Sequence, residues 1–171
     1  MPNLGSFPRP FALALLVAFT SLRAFAADPA LKIVSSDQTV ALTQEDVRAL
    51  PHSALTAFDP HLKESHVYSG VLVRDLLAKV GAPLGEKLRG PAMRTVVVFR
   101  AKDGYATVFA LAEFDDAFSN RELLLADSED GKPLGDNAGP FRLVVPGDKR
   151  AARWARMVTS IELMQVAGRT P

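Results

Sequence analysis

The sequence contains no cysteine among its 171 residues, which limits the chemistry available to it. Without a thiol, the chain can form no disulfide and can supply no thiolate nucleophile, redox dithiol or cysteine ligand for a metal. It also has no G-x-S-x-G nucleophile elbow and no glycine-rich phosphate loop. These absences argue against a serine hydrolase of that type and against a nucleotide-binding protein of the P-loop type.

A short apolar run near the N-terminus has the features of a secretory signal peptide. Arg9 supplies a positive charge, residues 11–19 are all apolar, and Ala24 and Ala26 form an A-x-A pattern. A membrane anchor is the alternative, but its helix would need about 20 apolar residues. We therefore predict that residues 1–26 are a signal peptide, cleaved near Ala26, and that the mature protein is secreted from the cytoplasm.

The mature chain, residues 27–171, has the length of one ordinary domain. A domain of this size buries about 68–70% of its unfolded surface and needs no disulfide for stability. The whole chain has 20 basic and 19 acidic residues, and removal of Arg9 and Arg23 leaves 18 against 19, a net charge of −1. This balance argues against a nucleic-acid partner, which would require a basic surface.

Hydrophobic periodicity predicts short strands mixed with short helices. Residues 73, 76, 77 and 80 are apolar at helical spacing, and Asp103-Gly104 is typical of a tight hairpin turn. The predicted fold class is α+β, because strands and helices do not alternate strictly. The predicted elements are a hairpin at 32–42, a helix at 44–50 capped by Thr43, strands at 54–58 and 67–71, a helix at 73–80, a hairpin at 94–111, strands at 123–126 and 141–145, a helical turn at 151–157 and a strand at 160–166.

Six short motifs, each weak by itself, follow one another in a fairly specific order and spacing. They are YSGVLVRDLL at 68–77, DGY at 103–105, DGKPL at 130–134, GPFRLVVP at 139–146, RW at 153–154 and IEL at 161–163. Over about residues 42–164, the chain resembles the oxidoreductase molybdopterin-binding domain family, whose fold is that of sulfite oxidases and related bacterial periplasmic enzymes. The resemblance implies a sulfite-oxidase-like fold of mixed β-sheets and short helices in a single domain.

The chain departs from this family at the metal ligand. Enzymes of the family hold molybdenum through a cysteine thiolate that follows an early strand, and the equivalent stretch here is about residues 55–59, LTAFD. Molybdenum needs a soft sulfur donor from the protein, and no side chain in this stretch replaces it. The resemblance thus implies a pocket for a pterin or molybdopterin, while the lack of cysteine argues against bound molybdenum and against catalysis.

Four candidate binding residues lie in the basic segment near the C-terminus. In the family, the basic residue at Arg153 lies against the pterin and its phosphate, which a guanidinium binds through bidentate hydrogen bonds. Alternatively, the adjacent Trp154 is a core anchor that Arg153 covers. Arg142, inside an apolar strand, either pairs with an internal carboxylate or points into the pocket. Lys149 follows on a loop, where solvation is the simpler interpretation.

Three further candidates could contact a flat heterocycle. Tyr105 could stack on such a ring, although a tyrosine after a D-G turn more often packs with its hydroxyl in water. Phe58 and Asp59 occupy the stretch that corresponds to the family's cysteine loop. An aromatic face beside a carboxylate suits a pterin, because the carboxylate can accept hydrogen bonds from the 2-amino and N3–H edge.

The histidines do not form a recognisable metal motif. His52, His61 and His66 lack the spacing and the additional ligands of the usual zinc patterns. We therefore predict no metal site and assign no catalytic residue.

Three hypotheses for function follow. The first is a periplasmic, non-catalytic protein that binds a pterin or similar heterocycle and acts on a membrane-bound signalling enzyme. The second is a molybdopterin-dependent oxidoreductase with an atypical metal site. The third is a protein-interaction module that keeps the fold and has lost the ligand.

Overall fold

The computed structural model describes residues 28–168, so the predicted signal peptide lies outside the described residues. In chain order the elements are β1 (Leu31–Val34), β2 (Thr39–Leu42), α1 (Gln44–Arg48), β3 (Ser53–Asp59), β4 (Glu64–Leu72), α2 (Val73–Ala78), β5 (Thr95–Ala101), β6 (Ala106–Ala110), β7 (Leu124–Glu129), β8 (Lys132–Pro133), β9 (Arg142–Val144) and β10 (Val158–Gln165). Short 3-10 turns at Gly85–Lys87, Gly90–Arg94, Leu111–Phe114 and Ala151–Arg153 connect them.

The strands form two sheets, one mixed and one antiparallel, that share one hydrophobic core. The first sheet has the order β2-β1-β10-β5-β6, in which β1 and β10 are parallel and the other pairs are antiparallel. The second has the order β3-β4-β7-β8, and β9 also pairs with β7. Buried side chains from both sheets, such as Ile33 and Phe99 from the first and Val71 and Leu125 from the second, belong to one cluster. This architecture confirms the predicted α+β class.

Local sequence signals explain where the two α-helices begin and end. The Thr43 hydroxyl accepts a hydrogen bond from the Asp46 amide at 3.1 Å, and the Asp46 carboxylate accepts from the Thr43 amide at 2.8 Å. This capping box satisfies backbone donors at the start of α1. After α2 ends, Gly81 adopts a φ of +71°, which a residue without a Cβ adopts at little cost.

One glycine allows close approach of two central strands of the second sheet. A Cβ on Gly70 in β4 would lie 2.1 Å from the Leu125 carbonyl oxygen and 2.5 Å from the Ala126 Cα in β7. No real Cβ tolerates such distances, so the register between β4 and β7 requires glycine here. The same two strands carry Tyr68 and Glu129, which belong to the buried polar cluster described below.

Most predicted elements are present, with different ends in a few places. The strands predicted at 54–58 and 67–71 are longer, because β3 runs from Ser53 to Asp59 and β4 from Glu64 to Leu72. The helical turn predicted for residues 151–157 covers only Ala151–Arg153. Met157, with a φ of +51°, cannot continue a right-handed helix. Among the described residues, no helix is long and apolar enough to cross a membrane.

Candidate ligand-binding site

An open cleft of the described chain has a volume of about 680 Å³. Typical small-molecule sites measure about 300–1,000 Å³, so this cleft can hold a bicyclic heterocycle. Thr56 lies in β3, Arg74 in α2, and Asn120 and Arg121 in the segment before β7. The lining residues are Leu55, Thr56, Arg74, Asp116, Asn120, Arg121, Glu122, Pro146 and Gly147.

Both cations of this cleft are paired with carboxylates. The Arg74 guanidinium donates to both oxygens of Asp116. The Arg121 Nη2 donates to Glu113 at 2.9 Å, and its Nη1 lies 3.3 Å from Asp148. Glu122 and Asp116 contribute carboxylates to the lining itself, so the cleft has no surplus of positive charge. What it offers to a ligand is a set of neutral and charge-compensated hydrogen-bonding groups.

Arg153 belongs to the same ion-pair network as Arg121. Its Nε and Nη2 donate to the two oxygens of Asp148 at 2.9 and 2.7 Å, and its Nη1 donates to Glu113 at 3.0 Å. The hydrogen bonds to Asp148 and Glu113 raise the pKa of Arg153 above its ordinary value, against the opposing effect of burial. Its guanidinium also lies 4.6 Å from the centre of the Phe109 ring. All these contacts hold Arg153 in a fixed orientation.

A smaller cavity adjoins the cleft at Gly147. Its lining includes the half-exposed Phe58 and Lys149, together with Pro60 and Asp148. Because Gly147 borders both cavities, an aromatic face and an ammonium group lie at one end of the cleft. Lys149 has no carboxylate within ion-pairing distance among residues 28–168.

Asp59 and Arg142 are not in either cavity but face each other inside the domain. The Arg142 Nη2 donates to the Asp59 Oδ2 at 2.5 Å, and both side chains are buried. Asp59 also accepts hydrogen bonds from the His61 and Leu62 amides, at 2.7 and 3.3 Å. Burial acts to raise the pKa of the Asp59 carboxyl, but the Arg142 guanidinium and the His61 amide outweigh it and lower that pKa.

Two aromatic rings complete the surroundings of Arg142. Its guanidinium carbon lies 5.4 Å from the Tyr68 ring centre and 5.2 Å from that of Trp154. Cations are attracted to aromatic faces at such distances, most strongly when desolvated. Trp154 is buried, and its indole N–H donates to the Val145 carbonyl at 3.0 Å. Trp154 is therefore a core anchor in this structure.

The Tyr68 hydroxyl extends this buried cluster to the edge of the second sheet. It lies 3.2 Å from Glu129 Oε1 and 3.3 Å from Arg142 Nη1. Burial raises the pKa of Tyr68 above its ordinary value. Beyond Glu129, the His66 Nδ1 lies 2.7 Å from Asp130 Oδ2, and this hydrogen bond raises the pKa of His66.

The structure separates the seven residues predicted for ligand binding into four places. Phe58 and Lys149 share the small cavity, whereas Asp59 and Arg142 form the internal ion pair that the sequence left open as an alternative. Tyr105 and Trp154 border a third cavity of about 200 Å³ beside the turn at Ala151–Arg153. The Tyr105 hydroxyl there donates to the Ala152 carbonyl at 2.5 Å. The seventh residue, Arg153, belongs to the ion-pair network with Asp148 and Glu113.

None of these seven residues lines the cleft beside Thr56, whose polar lining was not predicted from the sequence. Thr56 and Asn120 are uncharged and Arg74 is the second residue of α2, so none of them stands out in the sequence. The available signal was the polar segment Ser119-Asn120-Arg121-Glu122 directly before an apolar strand, since binding residues are enriched in loops beside rigid strands.

A mixed and an antiparallel sheet around one core, with a cleft beside β3, define the α+β class found in molybdopterin-binding oxidoreductases. The family model of the oxidoreductase molybdopterin-binding domain matches residues 43–170. The chain belongs to this family. The match confirms the resemblance carried by the six motifs.

A solved structure shows the same fold. The sulfane dehydrogenase SoxCD from Paracoccus pantotrophus superposes with a TM-score of 0.59 and 20% sequence identity, over 78% of this chain. The aligned region is 37% of the SoxCD chain, so this protein corresponds to a part of that larger enzyme. At this identity the likeness establishes the fold alone. No curated protein matches the sequence.

The donor groups at the cleft do not fit the molybdenum centre of this family, which uses a cysteine thiolate. The stretch at residues 55–59, which the resemblance aligns with the family's cysteine loop, forms most of β3, and Leu55 and Thr56 from it line the cleft. Thr56 offers a hydroxyl, and the other polar groups are amide, guanidinium and carboxylate. None is a thiolate, the ligand through which the resemblance implies that enzymes of this family hold molybdenum.

Proposed function

We propose that this chain is a non-catalytic periplasmic protein that binds a pterin-type heterocycle in the cleft beside Thr56 and reports it to a membrane-bound signalling partner. One observation supports this most strongly. This cleft lies at the stretch where the family's cysteine is expected, and it carries hydrogen-bonding groups but no thiolate. A pocket of this kind suits binding without redox chemistry.

The lining matches the hydrogen-bonding pattern of a pterin. The 2-amino group and N3–H of a pterin donate hydrogen bonds, for which Asp116 and Glu122 are acceptors. The 4-oxo group and ring nitrogens accept, for which the Asn120 amide and the Thr56 hydroxyl are donors. Phe58 at the Gly147 end presents a half-exposed ring on which a flat heterocycle can stack.

The charge distribution favours a ligand without phosphate. Arg74 and Arg121 in the cleft, and Arg153 behind it, already bind carboxylates in the structure. A phosphate bound by these three guanidinium groups would have to displace the carboxylates, whereas a neutral pterin leaves the ion pairs intact. We therefore favour a free pterin over molybdopterin as the ligand.

The second candidate is a molybdopterin-dependent oxidoreductase with an atypical ligand. It is favoured by the family match and by the structural likeness to an enzyme named as a dehydrogenase. It requires one molybdenum per chain in the purified protein. The third candidate, an interaction module without a ligand, requires that no pterin binds at all.

The experiment is native mass spectrometry combined with fluorescence of protein purified from the periplasm of molybdenum-replete cells, followed by metal analysis of the same sample. The expected result is a blue-fluorescent adduct of pterin mass without molybdenum. Stoichiometric molybdenum would instead establish the oxidoreductase. An empty protein that also binds no added pterin would leave the interaction module as the function.

The periplasmic location has its own measurement. Cell fractionation with mass spectrometry of the isolated protein should find a chain that begins at Ala27. An intact N-terminus on cytoplasmic protein would contradict the location, and with it the proposed signalling role, without affecting the ligand test.

A further inference from the structure

Three side chains at the edge of the second sheet bring a nitrogen and two carboxylates together. His66 lies in β4, Glu129 ends β7, and Asp130 follows in the tight turn to β8. The His66 Nδ1 is 2.7 Å from Asp130 Oδ2 and 3.3 Å from Glu129 Oε1. One donor atom from each residue lies within 4.8 Å of the others. We propose that His66, Glu129 and Asp130 bind a divalent transition-metal cation of the Zn²⁺ class.

The distances are close to those of a zinc site. Ligands that bind Zn²⁺ at about 2.0–2.2 Å in tetrahedral geometry are roughly 3.4 Å apart. The His66–Glu129 distance of 3.3 Å already has this value. The contact between His66 and Asp130, at 2.7 Å, would open by roughly 0.7 Å as the cation replaces the shared proton.

The two carboxylates are held in place by other parts of the sheet. The Asp130 Oδ1 accepts a hydrogen bond from the Val67 amide at 2.9 Å, which leaves Oδ2 directed at His66. The Asp130 backbone has a φ of +50°, and its amide donates to the Val67 carbonyl at 2.8 Å. Tyr68 donates to Glu129 at 3.2 Å. Such supporting contacts orient metal ligands and increase their affinity.

The second ring nitrogen of His66 is free to carry the proton that metal binding at Nδ1 requires. Within residues 28–168, its Nε2 is buried and has no hydrogen-bond partner, while the nearest carboxylate oxygen, from Glu64, is 3.9 Å away. With Nδ1 on a cation, the proton of a neutral imidazole must be on Nε2. That N–H could then donate to Glu64 after a small movement, as metal-binding histidines commonly do to a carboxylate.

The site would be an open one. Asp130 is half-exposed at the surface, so water can occupy the remaining coordination positions. Two carboxylates and an imidazole make three protein ligands, the same number as in zinc sites that keep a water in the fourth position. The proposal is independent of the pterin cleft, because none of its three ligands lines that cleft.

The test is a calorimetric titration of ZnCl₂ into protein that carries no polyhistidine tag. The histidine side chains are followed in parallel by ¹⁵N NMR. We expect saturable binding of one Zn²⁺ per chain, with the His66 Nδ1 resonance shifted as for a coordinated nitrogen. His66→Gln and Asp130→Asn should weaken binding at least about tenfold. Asp130→Asn retains an oxygen for the Val67 amide, so it preserves the turn.

The matched control is His61→Gln, which removes a histidine outside this cluster. It should leave the affinity unchanged, and urea unfolding should show that all variants are folded. The proposal is overturned if no saturable binding occurs, if the His66 and Asp130 variants bind as the wild type does, or if His61→Gln weakens binding equally.

Discussion

Asp59 and Arg142 form an ion pair in the interior of the domain, although they are 83 positions apart in the sequence. Arg142 is 3% exposed and Asp59 is fully buried. The pair joins the end of β3 to the start of β9, between the rings of Tyr68 and Trp154. Two residues that the sequence assigned to ligand binding therefore have a structural contact that explains their presence.

Arg142→Met should destabilise the fold strongly, because it leaves the Asp59 carboxylate buried without its cation. Removal of one partner of a buried ion pair costs about 3–5 kcal/mol in unfolding free energy. The measurement is urea denaturation at neutral pH. Arg100→Met is the control, because Arg100 pairs with Glu162 on the surface, where a pair contributes less than about 1 kcal/mol. Equal losses in the two variants would contradict the structural role of the buried pair.

Gly70→Ala should also destabilise the protein, for a steric reason. The added Cβ would collide with the backbone of Leu125 and Ala126, which cannot move without separating β4 from β7. Overpacking of this kind costs about 1–3 kcal/mol or more. Gly135→Ala is the matched control, because its Cβ would meet only the Asn137 side chain at 3.7 Å. Thermal unfolding should show a lower midpoint for Gly70→Ala alone, and two equal midpoints would argue against the close approach.

His52 should make stability depend on pH. Its Nδ1 lies 2.7 Å from the Leu50 carbonyl oxygen and its Nε2 lies 3.0 Å from Asp127, so both ring nitrogens face acceptors. Burial acts to lower the pKa of His52, but the contacts with Asp127 and Leu50 outweigh it, and the pKa is raised above 6.5. The stabilisation from His52 is therefore complete below the pKa of His52 in the unfolded chain. It is lost as the pH rises through the pKa of His52 in the folded protein.

The measurement is urea unfolding of the wild type and of His52→Gln between about pH 5.5 and pH 8.5. The difference in unfolding free energy should be largest at the acidic end and smaller, by up to about 1 kcal/mol, at the basic end. His61→Gln serves as control, since its side chain makes no hydrogen bond among the described residues. A difference that grows with pH would reverse the assigned sign.

Local features of the fold were predictable from sequence, whereas contacts between distant segments were not. The Thr43 capping box and the Gly81 terminus depend on residues within a few positions, so their sequence patterns are sufficient. The partner of Arg142 could not be identified from the sequence, because any carboxylate on a neighbouring strand satisfies the same electrostatic requirement. Likewise His66 meets Asp130 across 64 positions, and no spacing rule connects them.

The cleft shows the same limitation. Its polar groups come from β3, from α2 and from the segment before β7, and each looks ordinary in its own part of the sequence. The family resemblance indicated the stretch at residues 55–59 but selected Phe58 and Asp59 there. In a strand, successive side chains point to opposite faces, so Thr56 and Asp59 must lie on different faces. The sequence does not indicate which face borders the cleft, and the structure shows that it is the face of Thr56, while Asp59 is buried.

Asn120 provides the most direct test of the proposed pterin site. Its amide offers a donor and an acceptor to the edge of a heterocycle in the cleft, so Asn120→Ala should weaken the binding of unsubstituted pterin. Loss of one such hydrogen bond costs about 0.5–1.5 kcal/mol, which corresponds to a roughly 2- to 13-fold higher Kd. Fluorescence titration measures this change. Lys149→Ala is the matched control, because pterin carries no phosphate for the ammonium to bind. If Lys149→Ala weakens binding and Asn120→Ala does not, the ligand occupies the Phe58 cavity instead, and the cleft beside Thr56 is not the site.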